Sequence, residues 1–283
     1  MIYFTVFTPT YNRAYILPQL YKSLITQTNQ NFEWLVIDDG STDNTEELIG
    51  SYIQENRIPI TYIKQKNQGK HIAINKSLDI ATTEYIITID SDDYLLGNAI
   101  EICSKTISNY SNNDNLAGFS FINYLGKDSI SLGEYGKKES LNYKEITLNI
   151  KGEKSFVLKK SIAKQFKFPV FEDEKFCQES YMLVQIMENY QILYTDYILA
   201  RGEYLEDGLS QNIYKRMLKN PKYALSTLKI KYLSSLFSKK EKDSFAINFW
   251  DITLKTKVVH PLYQLFHFPL QGTFIYLRYK LFG

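Results

Sequence analysis

Cysteine is scarce in this chain of 283 residues, with Cys103 and Cys177 the only two. They cannot staple a disulfide scaffold, so the fold must rest on a packed core, and such usage suits a reducing compartment. Neither sign of charge is in large excess. The formal net charge is +2, which removes the global basic field that argues for nucleic acid, so no nucleic-acid partner is expected. Two phosphate-binding signatures are missing as well. No G-x-G-x-x-G follows the first β-rich segment and no G-x-x-x-x-G-K-[ST] occurs, which leaves a dinucleotide fold or a P-loop without support. No basic n-region precedes the short apolar run "IYFTVFT", so a secretory leader is not expected and the cytoplasm is the expected location.

What the chain does have is alternation. "IYFTVFT" is β-rich and ends at Pro9, while "AYILPQLYKSLITQT" spaces its apolar residues as a helix does, with Pro18 tolerable only in the first turn. "FEWLVIDD" predicts a strand, "TDNTEELIGSYIQEN" a helix, "IPITYIKQ" a strand, "KHIAINKSLDIAT" a helix and "EYIITID" a fourth strand. Strand and helix in turn make a Rossmann-like, mostly parallel α/β sheet flanked by helices, in which ligands bind at the carboxyl ends of the strands. Beyond residue 115, "LAGFSFINYL" and "GEKSFVLKK" read as strands, followed by a loop, a helix beginning near Cys177 and a strand. From about Asn212 the pattern is helical. The expected organisation is a catalytic domain over 1–210, divided into a nucleotide-binding half (1–115) and an acceptor-side half (116–210), with a helical extension over 211–283.

Three strand ends carry polar chemistry. After the fourth comes "DSDD", placing Asp90, Asp92 and Asp93 in a stretch with no Lys or Arg between Lys76 and Lys105. Like charges so close repel unless a cation shares the site. Two readings stand: a turn in which Asp92 or Asp93 caps the helix "YLLGNAIEICSKTI", or a carboxylate site for Mg²⁺ or Mn²⁺ completed by phosphate oxygens and water. After the second strand, Asp43 and Glu46 have capping-box spacing, which leaves Asp38 and Asp39 to accept from a base or a ribose. "NQGKHIAINKS" places Gly69 at a helix start, where free backbone N–H groups favour an anion, and Lys70 and His71 add donors. An ordinary glycine-led helix with a solvated lysine would look the same.

Taken together, "FTPTYNR", "IDDGSTDNT", "NQGKHIAIN" and "IDSDD" resemble, in order and spacing, the family 2 glycosyltransferases of GT-A fold, and "EKFCQES" and "EYLEDGLSQN" look like a bacterial, polysaccharide-type branch of that family. The resemblance implies inverting, metal-dependent transfer of a sugar from a nucleotide-diphosphate donor, a UDP-sugar, to a glycan or lipid-linked hydroxyl acceptor in surface polysaccharide synthesis. It places Thr8, Pro9, Tyr11 and Arg13 along the nucleoside pocket, with Tyr11 as a stacking face. It sets Asp39 on the uracil edge beside Asp38, Gly69, Lys70 and Ser91 toward the nucleotide, and Asp90 toward the ribose. Asp92 becomes the ligand of Mn²⁺ or Mg²⁺. The family's Glu-Asp pair is replaced by Gln178-Glu179-Ser180, which makes Glu179 the expected catalytic base, with Glu172, Asp173 and Glu174 as rivals. Asp207 in "GEYLEDGLS" is a further candidate metal contact.

On the helix starting near Cys177, Glu179 falls three and four residues before Met182 and Leu183, so it is expected on their inward stripe, where burial suits a carboxylate to accepting a proton. Two other classes of function compete. A sugar-nucleotide-forming nucleotidyltransferase would want a Gly-rich, basic first loop, which "TPTYNR" is not; a non-catalytic sugar-nucleotide-binding protein would not need Asp92. Finally, "VVHPLYQLFHFPLQGTFIYL", 258–277, contains no Asp, Glu, Lys or Arg and is flanked by Lys255, Lys257, Arg278 and Lys280. Its prolines argue against a membrane span. Packing on the catalytic domain and peripheral docking on the inner face of the cell membrane through the C-terminal helices both remain open.

Overall fold

The computed structural model describes residues 4–110, 112–125, 139–141, 153–202, 212–256, 258, 264–265 and 267–282. Asp207, the rest of 203–211 and several positions in 257–266 lie outside the described residues. The N-terminal strands are β1 (Phe4–Thr10), β2 (Phe32–Asp38), β3 (Ile60–Lys64) and β4 (Tyr85–Thr88). They pair in parallel in the order β3-β2-β1-β4, connected through α1 (Leu17–Ile25), α2 (Thr45–Glu55) and α3 (Lys70–Ile80). Every residue of β1 is buried, as a central strand covered on both faces requires. Pro18 sits in the first turn of α1, where its missing N–H is harmless. Behind the sheet Tyr21 of α1 stacks on Tyr52 of α2 with centroids 3.8 Å apart and lies 6.0 Å from the Trp34 ring.

The sheet continues past β4 as β8-β6-β9-β5, from β5 (Asp93–Leu95), β6 (Leu116–Leu125), β8 (Glu153–Lys159) and β9 (Gln191–Gly202), with β7 (Glu139–Ser140) paired to β9. Here β8 is antiparallel to β4 and β6, β5 is antiparallel to β9, and β6 and β9 run parallel. Between β5 and β6 lies α4 (Ala99–Asn109).

The chain forms two compact units. The first contains residues 1–67, 73–165 and 190–208, and therefore the sheet; the second contains 68–72, 166–189 and 209–283. The helices of the second are α5 (Ser180–Asn189), α6 (Ile213–Lys219), α7 (Pro221–Leu233), α8 (Lys239–Thr256) and α9 (Leu270–Phe282). Their core packs Leu225, Leu228, Phe249, Trp250, Phe268 and Tyr276, with Phe249 and Phe268 stacked at 3.9 Å. The first turn of α3, residues 70–72, clusters with these helices, and so does the 166–189 stretch that carries Glu179.

Three local expectations change. The Asp43–Glu46 capping box does not form, because each partner is engaged elsewhere. Asp43 accepts from the Thr45 hydroxyl at 2.6 Å and from the Ala14 N–H at 3.1 Å, while Glu46 pairs with Lys64 at 2.8 Å. A reciprocal box appears instead at the start of α8, where Ser238 N–H and hydroxyl donate to Glu241 and the Glu241 N–H donates back to the hydroxyl. The residues after "DSDD" do not enter a helix at once. Asp93–Leu95 pairs with β9 and α4 starts only at Ala99, so neither Asp92 nor Asp93 is its cap. Lastly, α5 begins at Ser180, not near Cys177.

Candidate functional site

In the first unit two loops at the carboxyl ends of β1 and β2 are stitched into one surface. Asn12 adopts φ 53°, a conformation asparagine tolerates better than most residues. From there its side-chain oxygen accepts from the Thr42 N–H at 2.7 Å, while its own N–H donates to the Ser41 hydroxyl at 2.8 Å. Partial burial pushes the Asp43 carboxyl up, but hydrogen bonds from the Thr45 hydroxyl and from the backbone N–H groups of Ala14 and Thr45 outweigh it and leave it below the usual value. Sequence reading missed Asn12; an Asn just after "TPT" at a strand end is the signal that could have found it.

The two aspartates after β2 do different work. Asp38 is fully buried, accepting from the Ser41 N–H at 2.7 Å and from the Tyr62 hydroxyl at 2.6 Å. Its carboxylate thus holds the turn, and burial, with this hydrogen bond to Asp38 second, pushes the Tyr62 phenol well up. Asp39 donates its N–H to the Thr10 carbonyl at 2.8 Å and accepts from the Gln65 amide at 2.9 Å. Thr8 and Pro9 lie buried within β1. The Thr8 hydroxyl accepts from the Trp34 indole N–H at 3.0 Å, so it anchors the core rather than presenting itself to a ligand. Tyr11 is 45% exposed, as a stacking face must be, and the Arg13 guanidinium donates to the Tyr15 hydroxyl at 3.2 Å.

The acidic turn after β4 is tied to the same sheet. Ile89 N–H bonds the Phe7 carbonyl at 2.9 Å, and Asp93 N–H bonds the Asp90 carbonyl at 3.1 Å, closing the turn over Ser91 and Asp92. Asp90, Asp92 and Asp93 each offer a half-buried carboxylate oxygen, all within 4.8 Å of one another. An all-oxygen, like-charged set at this spacing fits a hard divalent cation such as Mg²⁺ or Mn²⁺. Asp93 is also held from the side, accepting from the Asn123 amide at 2.5 Å.

In the second unit Gly69 sits at φ 96°, and a Cβ there would come within 2.1 Å of the Lys175 carbonyl oxygen. Only glycine lets the 174–176 loop pass so close. The next residue, Lys70, begins α3 and pairs with Glu179, Nζ to Oε1 at 2.5 Å. The Glu179 carbonyl accepts the first N–H groups of α5, from Met182 and Leu183, which puts Glu179 at the helix cap rather than in its first turn. Its side chain is 43% exposed and faces an ammonium, so the expected inward apolar stripe is corrected: Met182, Val184 and Ile186 are the buried positions of α5. Among the rival acids, Glu174 is buried and accepts from the N–H groups of Lys222 and Tyr223, capping α7. Asp173 pairs with Lys222 at 2.8 Å, and Glu172 is exposed. His71 is buried, edge-on to the rings of Tyr223 at 4.4 Å and Phe168 at 5.8 Å, and burial lowers its pKa to about 4.

Against known families, the chain matches the one described as Glycosyl transferase family 2 over residues 5–165. It is 33% identical over 134 residues to the glycosyltransferase GlyG of Streptococcus pneumoniae, covering 44% of each chain. To GlyA of the same organism it is 30% identical over 181 residues, covering 61% of this chain and 25% of that one. The alignments therefore span less than half the length of these curated relatives. Among solved structures, Staphylococcus aureus TarS 1-349 in complex with UDP-GlcNAc aligns with TM-score 0.60 and 19% identity, over 89% of this chain and 73% of that 1-349 chain. The mannosyltransferase PcManGT from Pyrobaculum calidifontis in complex with GDP-Man and Mn²⁺ aligns with TM-score 0.57 and 15% identity, over 89% and 73% of the two chains. These likenesses show the GT-A fold.

Proposed function

The chain belongs to glycosyl transferase family 2, and from that premise we propose that it transfers a sugar from a nucleotide-diphosphate donor to a hydroxyl acceptor with inversion at the anomeric carbon. The observation that carries the reading is the carboxylate cluster of Asp90, Asp92 and Asp93 at the end of β4. Asp92 would hold Mn²⁺ or Mg²⁺ with help from its neighbours; when bound, the cation neutralises the departing diphosphate. Tyr11 offers an open ring for the base, Asp39 an acceptor for the N–H of a uracil edge, and Asp90 with Ser91 the ribose contacts. The UDP-GlcNAc bound by TarS supports a UDP-sugar as donor. The acceptor in this reading is a glycan or lipid-linked hydroxyl in bacterial surface polysaccharide synthesis; the relatives GlyG and GlyA are themselves bacterial glycosyltransferases.

On the acceptor side Glu179 takes the proton. The acceptor oxygen forms its bond to the anomeric carbon on the face opposite the leaving group, its proton passes to the Glu179 carboxylate, and the bond to the diphosphate breaks with the electron pair leaving on the phosphate oxygen. Lys70, at the start of α3, is the counter-ion of Glu179 and the nearest cation by sequence to Gly69, whose helix start favours an anion. Thermal-shift titration with UDP tests the reading: Mn²⁺ should raise the stabilisation by UDP and a chelator should remove it, because only binding to the folded state shifts the transition. Stabilisation by UDP that ignores both the chelator and Asp92→Ala would overturn it.

A further inference from the structure

Helix α9 has two apolar sides, and one of them is packed. Tyr276 is buried 6.4 Å from the Trp250 ring, and Gly272 lies so close to Phe268 that a Cβ there would come within 2.4 Å of the ring. The other side carries Leu270, Phe274, Leu277 and Leu281, which are 64%, 68%, 49% and 74% exposed. At the helical turn of about 100° per residue, these four fall within an arc of about 60°. Single exposed apolar residues are ordinary on a protein surface; four in a continuous stripe mark something that covers them.

Charge identifies the cover. Lys255 is paired with Asp251 at 2.9 Å, but from Ile252 to Gly283 the sequence contains no Asp or Glu and adds Lys257, Arg278 and Lys280. Arg278 and Lys280 fall on opposite shoulders of the stripe, roughly 70° and 90° from its centre. Facing a second copy of itself, this surface would bring like charges together. An anionic bilayer accepts both parts of it: the apolar side chains enter the acyl boundary while the basic heads stay among the phosphates. No helix among the described residues is long and apolar enough to cross a membrane, which leaves an in-plane orientation for α9. We propose that the exposed stripe of α9 docks this protein on an anionic lipid surface. The stripe belongs to the same compact unit as Lys70 and Glu179, so docking brings that unit to the bilayer, whatever the donor proves to be.

The test is flotation of the full chain with phosphatidylcholine vesicles, with and without phosphatidylglycerol. Wild type should float with the anionic vesicles, and added salt should release part of it. Phe274→Glu combined with Leu281→Glu should lower the bound fraction by roughly an order of magnitude or more, since it removes two exposed apolar anchors and adds charge of the wrong sign. Its melting temperature should match wild type, because neither side chain is packed. Arg278→Glu alone should weaken the preference for anionic over neutral vesicles. Wild type that stays at the bottom of the gradient with anionic vesicles overturns the proposal, as does a double variant that floats equally well. Self-association in solution that the double variant abolishes, with no flotation, would assign the stripe to a second copy of this chain.

Discussion

At the residue scale, the three carboxylates after β4 are separated by their neighbours. Asp93 is bonded to Asn123 and belongs to β5, so Asp93→Ala should lower stability by about 1 kcal/mol, the usual net worth of such a bond. Asp92→Ala should leave the melting temperature alone while abolishing Mn²⁺-dependent binding of UDP and with it transfer; calorimetric titration of both variants separates the two effects. Glu179→Gln should bind donor normally and transfer roughly two to four orders of magnitude more slowly, as removal of a general base does, measured by single-turnover product formation. Normal transfer by that variant alongside a dead, fully stable Asp173→Asn would move the base into the preceding loop. The placement of Asp39 and Asp92 at strand ends and of Glu179 at a helix start was legible because such boundaries are read from local pattern. The burden on Thr8 was not legible: its hydroxyl is claimed by Trp34 of β2, a partner that only the parallel register of β1 and β2 supplies. The setting of Glu179 was misread for the same reason, since its counter-ion Lys70 stands on a distant helix.

At the scale of elements, α7 is held at its start by a residue that sequence reading had weighed for catalysis. Glu174 takes the N–H groups of Lys222 and Tyr223, and in return Asn220 accepts from the N–H groups of Lys175 and Phe176. The loop and the helix therefore cap each other. Glu174→Ala should cost about 2 to 3 kcal/mol, because it strips a buried double acceptor and leaves two donors unpaired. Chemical denaturation reads the cost directly, and any loss of transfer should track the loss of folded protein. Gly69→Ala belongs to the same assembly, since a methyl group would meet the Lys175 carbonyl at 2.1 Å. It should destabilise by more than about 2 kcal/mol, the left-handed backbone and the clash acting together. The alternation of strands and helices through β4 was legible from periodicity. The antiparallel pairings of β8 and β5 were not, because nothing in a strand's own residues states which neighbour it will take.

For the whole molecule, the buried His71 imidazole sets a response to acid. Burial lowers its pKa to about 4 from an ordinary 6.5, so the unfolded chain takes up a proton near pH 6.5 that the folded chain refuses until about pH 4. Stability should be complete above pH 6.5, fall by up to about 3 kcal/mol between there and pH 4, and owe nothing further to this group below that. Asp43, Glu188 and Asp251 are each held below the usual carboxylate value, their hydrogen bonds outweighing partial burial. Their contributions should fade as pH falls below their ordinary values of 4.5 for Glu188 and 3.8 for the aspartates. Urea midpoints across this range for wild type and His71→Phe check the assignment: the variant should lose the upper step and keep the lower one.

The second compact unit is assembled from residues 68–72, 166–189 and 209–283, and that order matters while the chain is being made. Synthesis delivers the turns after β1, β2 and β4 before the helices of the second unit, and domains generally fold as units as they emerge. The Lys70–Glu179 pair also precedes, in order of synthesis, the helices within 213–282 that complete the core of its unit. A nascent chain can thus shape the loops after β1 and β2 before the Lys70–Glu179 pair is fixed in its folded unit, and on the proposed function transfer would wait for the helices of that unit.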